Sequence, residues 1–189
     1  MKTEETIQKF TLKGKTVIFR CPAWEDLEGF LKSNNELYDE SMKQLLWIPI
    51  QEMDKVAACN KLLDILKKIE LDRIIYLMVE VDGNISGQGW LHIDNGQFGK
   101  GYGNLGLQIN SSARGLGIGK KMMDALEEEA IKIGLRVLLL TVSAENPAKK
   151  LYDRCGYRES GRKPHFMGTN FGNEEFDYRA DLIEMIKIL

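Results

Sequence analysis

The stretch from residue 105 to 134, LGLQINSSARGLGIGKKMMDALEEEAIKIG, narrows most sharply what this chain can become. It opens as a short apolar strand, Leu105 to Ile109, turns through Asn-Ser-Ser-Ala, and enters Arg-Gly-Leu-Gly-Ile-Gly. After Gly119 the spacing predicts an amphipathic helix to Gly134, with Met122, Leu126, Ala130 and Ile133 on its core face and Met123 beside it. A strand that feeds a glycine-dense loop at a helix N-terminus is a ready anion site. The first helical N–H groups lack intrahelical partners, and the macrodipole favours negative charge there. Glycine lets such a backbone approach a phosphate with no Cβ in the way.

Spacing tests the common glycine loops. Gly115, Gly117 and Gly119 run G-x-G-x-G, and Lys120 stands where a dinucleotide fingerprint needs its third glycine. A phosphate loop of the Walker type needs a glycine at Arg114 and a Ser or Thr at Lys121. Both patterns fail. The sequence does fit [Q/R]-x-x-G-x-[G/A] through Arg114, Gly117 and Gly119. Downstream, Asn146-Pro-Ala-Lys-Lys-Leu-Tyr152-Asp-Arg-Cys-Gly156-Tyr157 supplies an Asn followed by A-x-x-L-Y and G-Tyr. Together these stretches resemble the acetyl-CoA loop and the following helix of the GNAT superfamily of N-acetyltransferases. Taken alone, the loop also reads as an ordinary glycine-rich strand-to-helix turn.

The rest of the chain is compatible with that resemblance. With 43% hydrophobic and 29% charged residues and a net charge of −2, it describes a globular protein without a general basic footprint for nucleic acid or anionic membrane. The three cysteines, Cys21, Cys59 and Cys155, are far apart, and with two histidines they offer no zinc spacing. They read as thiols of a reducing compartment. The N-terminus lacks the apolar run of a signal peptide, so a cytoplasmic location is expected. Residues 1–189 read as one acetyltransferase domain, with residues 1–14 as a loosely ordered extension.

Thr16 to Arg20 reads as the first strand. Trp24, Leu27, Phe30 and Leu31 fall at helical spacing, and Ser33-Asn34-Asn35 is expected to interrupt or end that helix. A second helix is predicted from about Ile50 to Ile69, with Met53, Val56, Ala57, Leu63 and Leu66 on one face. Strands at 73–81 and 85–94 flank Asp82-Gly83-Asn84, a tight-turn signal. The apolar run 136–142 reads as a strand covered on both faces and parallel to the strand before the glycine loop. Asn146 is a predicted N-cap with Pro147 as first helical residue, and Gly156 ends the helix. Residues 157–162 and 175–185 alternate like strands, with 163–173 as their connection. The expected fold is α/β: a GNAT-like mixed, mostly antiparallel sheet with a central βαβ unit and helices on both faces.

The resemblance implies a site. Leu107, Gln108 and Ile109 would bond the pantetheine and thioester through their backbone. The N–H groups of Arg114, Gly115, Leu116, Gly117, Ile118, Gly119 and Lys120 would hold the pyrophosphate. Asn146 would contact the cofactor arm as well as cap its helix, and the Tyr152 hydroxyl would face the departing sulfur. In several members that acetylate protein N-termini a Glu acts as general base at the position of Thr141, and threonine cannot do that work. Asn104 and Gln108 are not bases; Glu80, His92, Asp177 or a water relay are conceivable, and the base is unassigned. Acids and aromatics in the regions usually concerned with the acceptor (Tyr38, Asp39, Glu40, Trp47, Phe166, Phe171, Glu174, Glu175, Asp177) suit a cationic amine, or form a solvated rim.

The expected activity is acetyl transfer from acetyl-CoA to a primary amine in a ternary complex, without metal, nucleic acid or membrane; a homodimer is left open. Three alternatives stay open: a longer acyl donor or hydroxyl acceptor, a non-catalytic acetyl-CoA sensor, and a nucleotide-binding protein using the same loop.

Overall fold

The computed structural model describes residues 5–44, 50–94, 96, 99–168 and 178–189. Among the described residues, eight strands form one sheet in the order β1-β2-β3-β4-β5-β6-β8-β7. They are β1 (Thr6–Leu12), β2 (Lys15–Arg20), β3 (Ile74–Val81), β4 (Asn84–Ile93), β5 (Tyr102–Ile109), β6 (Val137–Ser143), β7 (Arg158–Gly168) and β8 (Tyr178–Ile188). Every neighbouring pair is antiparallel except β5 and β6, which are parallel and joined through helix α3 (Ile118–Lys132). Helices α1 (Leu27–Gln44) and α2 (Lys55–Glu70) lie between β2 and β3, and α4 (Lys149–Arg154) follows β6.

Strand β3 shows how the layers form. Its successive side chains point to opposite faces. Ile75, Leu77, Val79 and Val81 join Met122, Met123 and Leu126 of α3 in one core, whereas Ile74, Tyr76 and Met78 meet Phe30 of α1 and Ala58, Ile65 and Ile69 of α2 in another. The sheet therefore carries helices on both faces. The β3–β4 turn has Asp82 at φ 48° and Gly83 at φ 82°, the two positive φ values that a tight primed hairpin requires.

The structure departs from the sequence reading at several places. Thr6–Leu12, placed by the sequence in an extension, pairs with β2 as an edge strand. Helix α1 runs straight through Ser33-Asn34-Asn35, because tertiary partners satisfy these side chains: Ser33 Oγ donates to Asn110 Oδ1 (2.9 Å), and Asn34 Nδ2 to the Gln51 carbonyl (3.1 Å). Trp24 precedes α1 in a 3-10 turn and is exposed. On α2 the buried face is Ala58, Leu62, Ile65 and Ile69, while Val56 and Leu63 face solvent. Its N-cap is Asp54, which accepts from Ala57 N at 2.7 Å, so Met53 lies outside the helix.

Strand β6 buries Leu138, Leu140 and Val142 on one face, while on the other Thr141 is exposed, Val137 and Leu139 are half-buried and Ser143 is buried, so the second face is covered only in part. Strand β7 continues through Lys163 to Gly168, which the sequence assigned to a connection; Trp47, Phe171, Glu174, Glu175 and Asp177 lie outside the described residues.

Candidate active site

The parallel pair β5/β6 holds for three register steps only, Tyr102↔Val137, Gly103↔Leu138 and Asn104↔Leu139. Beyond them β6 continues beside β8, and Leu105 to Ile109 keep β4 as their one strand neighbour among the described residues. The unpaired stretch of β5 runs to the glycine loop. There a 3-10 turn (Ser111–Ala113) leads to Gly115 at φ 70° and Gly117 at φ 90°, the latter capping α3 without any side-chain bond. A Cβ built at either glycine meets no atom within 4 Å, so the loop is open to a ligand.

The N–H groups of Ile118, Gly119 and Lys120 open α3 and have no intrahelical acceptor. The first turn carries Lys120 and Lys121 and no acid, which is unfavourable against the dipole until an anion binds. Lys120 is paired with Asp124, and Lys121 lies 5.8 Å from the centroid of the Phe10 ring.

Helix α1 fixes the loop from the other side. Asn110, 2% exposed, donates to the Ser33 carbonyl (3.2 Å) and to Glu36 Oε2 (2.7 Å). Arg114 Nε donates to the Ile109 carbonyl (2.9 Å), and its guanidinium forms a two-point pair with Glu40, which leaves that side chain engaged within the protein. Sequence reasoning placed Glu40 among acceptor-facing acids. In the structure it holds the loop. Substituting Glu40→Ala is expected to weaken acetyl-CoA binding about threefold to tenfold, because a bidentate charged pair that orders the loop is lost; calorimetric titration of the folded variant checks this.

The opposite wall comes from α4 and the residues just before it. Asn146 is not the helix N-cap: α4 begins at Lys149 with Ala148 at the N-cap, and Asn146 Oδ1 instead closes a local turn by accepting from Ala148 N at 2.9 Å. Its Nδ2 makes no hydrogen bond to a described residue. Tyr152 is 7% exposed and packs edge-on to Tyr157, with ring centroids 6.3 Å apart. Burial, with a smaller contribution from Cys155, pushes its phenol up to about 12.

These walls enclose a groove of about 560 Å³ lined by Leu107, Gln108, Ile109, Arg114, Gly115, Gly117, Ile118, Gly119, Lys120, Asn146 and Tyr152. Of the residues expected from the sequence, only Leu116 is missing from the lining; it packs against the core. Leu37, Ile50, Pro147, Ala148, Leu151 and Arg154 also line the groove. Of these, Leu151 was visible in the A-x-x-L-Y run, while Leu37 and Ile50 arrive through tertiary packing that no local pattern announces. Glu80 is tied to Arg20 (3.1 Å), and neither it nor His92 reaches the groove lining. Burial and nearby Lys68 lower the pKa of His92.

The acetyltransferase (GNAT) family model matches residues 30–157. The chain belongs to the GNAT acetyltransferase family. The matched span holds the whole loop, the gap and α4. Members of the family use acetyl-CoA as co-substrate. No curated protein is close enough in sequence to count as a relative.

Among solved structures, a GNAT-family acetyltransferase from Streptococcus pneumoniae is 20% identical with a TM-score of 0.76, covering 92% of this chain and 99% of that one. A ribosomal-protein-alanine N-acetyltransferase from Brucella melitensis is 25% identical with a TM-score of 0.71, covering 90% and 99%. A putative acetyltransferase from Salmonella typhimurium, with its cofactor acetyl-CoA, is 18% identical with a TM-score of 0.71, covering 91% and 93%. No described helix is long and apolar enough to cross a membrane, and no described cluster of His, Cys, Asp and Glu could hold a metal ion.

Proposed function

We propose that this GNAT protein transfers an acetyl group from acetyl-CoA directly to a primary amine, with both substrates bound together. The supporting observation is the convergence, in one groove, of the unpaired β5 edge, the uncapped N-terminus of α3 and Tyr152. The anionic end of the cofactor fits the helix N-terminus. The pantetheine amides fit the free strand edge from Leu107 to Ile109, and Asn146 Nδ2 offers one more donor to the arm. Family likeness to a ribosomal-protein-alanine N-acetyltransferase favours a peptide α-amine as acceptor. The three free cysteines fit a cytoplasmic setting.

In the reaction the neutral amine nitrogen attacks the thioester carbonyl carbon. The C–S bond breaks, the amine proton passes to water, and CoA leaves as thiolate stabilised by Tyr152. With the phenol near 12 and an ordinary thiol near 8.5, complete proton transfer from Tyr152 would be uphill by about 5 kcal/mol. Tyr152 therefore acts as a hydrogen-bond donor to the developing thiolate, and water protonates the product.

Thermal melting in CoA, acetyl-CoA, ATP and NAD tests the ligand class. CoA and acetyl-CoA should raise the melting temperature, whereas a shift with ATP or NAD alone would sink the reading. Thiol release across a panel of amines and alanyl peptides then tests turnover. Binding of acetyl-CoA without release for any amine would favour a sensor.

A further inference from the structure

Beyond the backbone contacts of β5, one side chain on that strand is held in a single orientation. Tyr76 is 4% exposed, and its hydroxyl donates to Gln88 Oε1. Gln88, 6% exposed, donates from Nε2 to Gln108 Oε1 at 2.6 Å. This chain has a direction. The buried phenol must place its proton on an acceptor, and reversing the two amides would leave that O–H unsatisfied. Gln88 must turn its oxygen to Tyr76 and its nitrogen to Gln108. The Gln108 oxygen is then occupied, and its Nε2 is left without a described partner on a residue that lines the groove.

The register gives the face. Met78, Gln88 and Gln108 stand opposite one another across β3, β4 and β5, and Met78 belongs to the core under α1 and α2. Leu107 and Ile109 pack on the α3 side. The Gln108 side chain therefore lies across the sheet from α3.

We propose that Gln108 is a specificity-determining donor, oriented by Gln88 and Tyr76, that binds a carbonyl oxygen at the reacting end of the groove. The inference rests on the acetyl-transfer reading. An amide nitrogen locked as a donor donates to a carbonyl oxygen and cannot pair with an ammonium, which has no acceptor. The oxygen comes from the thioester or from a carbonyl beside the acceptor amine. Neither glutamine titrates, so the chain orients a group and carries no proton. Tyr76 and Gln88 are positioning residues.

The test compares Gln108→Leu, Gln108→Glu and Tyr76→Phe with the wild type, each shown folded by thermal melting. Affinities are measured for CoA and acetyl-CoA, and steady-state kinetics for alaninamide and for 2-aminopropane, which keeps the amine and lacks the carboxamide. A thioester contact weakens acetyl-CoA relative to CoA, or lowers kcat with both amines, by about fivefold or more in the Gln108 variants. An acceptor contact raises the KM of alaninamide alone by a similar factor.

In either case Tyr76→Phe should shift the same parameter in the same direction by a smaller factor. Unchanged parameters in both Gln108 variants overturn the inference, as does an equal loss of CoA and acetyl-CoA affinity, which would put the contact on the arm. A Tyr76→Phe protein indistinguishable from wild type overturns the fixed orientation. A wild type that binds neither CoA nor acetyl-CoA would instead sink the acetyl-transfer reading itself.

Discussion

Tyr152→Phe is expected to lower acetyl-transfer turnover by about tenfold or more while acetyl-CoA affinity stays within about twofold. The ring is buried beside Tyr157, so phenylalanine keeps the packing and removes only the hydroxyl. That hydroxyl makes no hydrogen bond to a described residue, which limits the structural cost of deleting it. Because the pKa of the phenol is raised to about 12, it remains protonated at every pH at which the enzyme can be assayed. The sign follows: turnover should rise with pH as the acceptor amine loses its proton, with no falling limb from Tyr152 below about pH 10. The Phe variant should keep the shape of that profile at reduced height. Near-normal turnover in a folded variant would remove Tyr152 from the mechanism.

Gly117→Ala is expected to weaken acetyl-CoA binding by about tenfold or more, with a stability loss on the order of 1–2 kcal/mol. At φ 90° an alanine is strained, and the residue stands at the helix start whose N–H groups would face the proposed ligand. The added methyl meets no protein atom, so it projects into the space the phosphates would use. Gly134→Ala is the control. It has φ 79° and open space around its Cβ, yet lies past the far end of α3. It should show a similar loss in chemical denaturation with unchanged affinity. Equal loss of affinity in both variants would mean that strain alone, and not the loop's contact with phosphate, explains the effect.

How legible all this was in the sequence depended on whether local chemistry or distant partners decided each element. The glycine loop, the Asp82-Gly83 turn and the Asn146–Gly156 stretch were readable because backbone conformation there demands particular residue types. Ser33 and Asn34 misled because their helix-breaking tendency is local, whereas their bonds to Asn110 and Gln51 are formed by the tertiary fold. Apolar residues occur on more than one face of α2, and packing, not local spacing, decides that Ala58, Leu62, Ile65 and Ile69 are the buried ones. Strand β1 carries Gln8, Lys9 and Thr11 among few apolar residues, so its pairing with β2 left little trace in composition. Arg114 matched the motif by type, but only the fold shows that its guanidinium is engaged by Glu40.

The separation of β5 from β6 has a consequence for handling the protein. Most proteins hide strand edges at the rim of a sheet or guard them with charge. Here Leu105 to Ile109 form an edge inside the sheet, flanked by half-buried apolar side chains. A ligand with amide groups bound as proposed would close that seam, and ligand binding adds stability by mass action. The empty protein offers the same seam to any extended peptide. Preparations stripped of CoA should therefore precipitate sooner on warming than those kept in millimolar CoA, and the difference should persist in the slowed Tyr152→Phe variant.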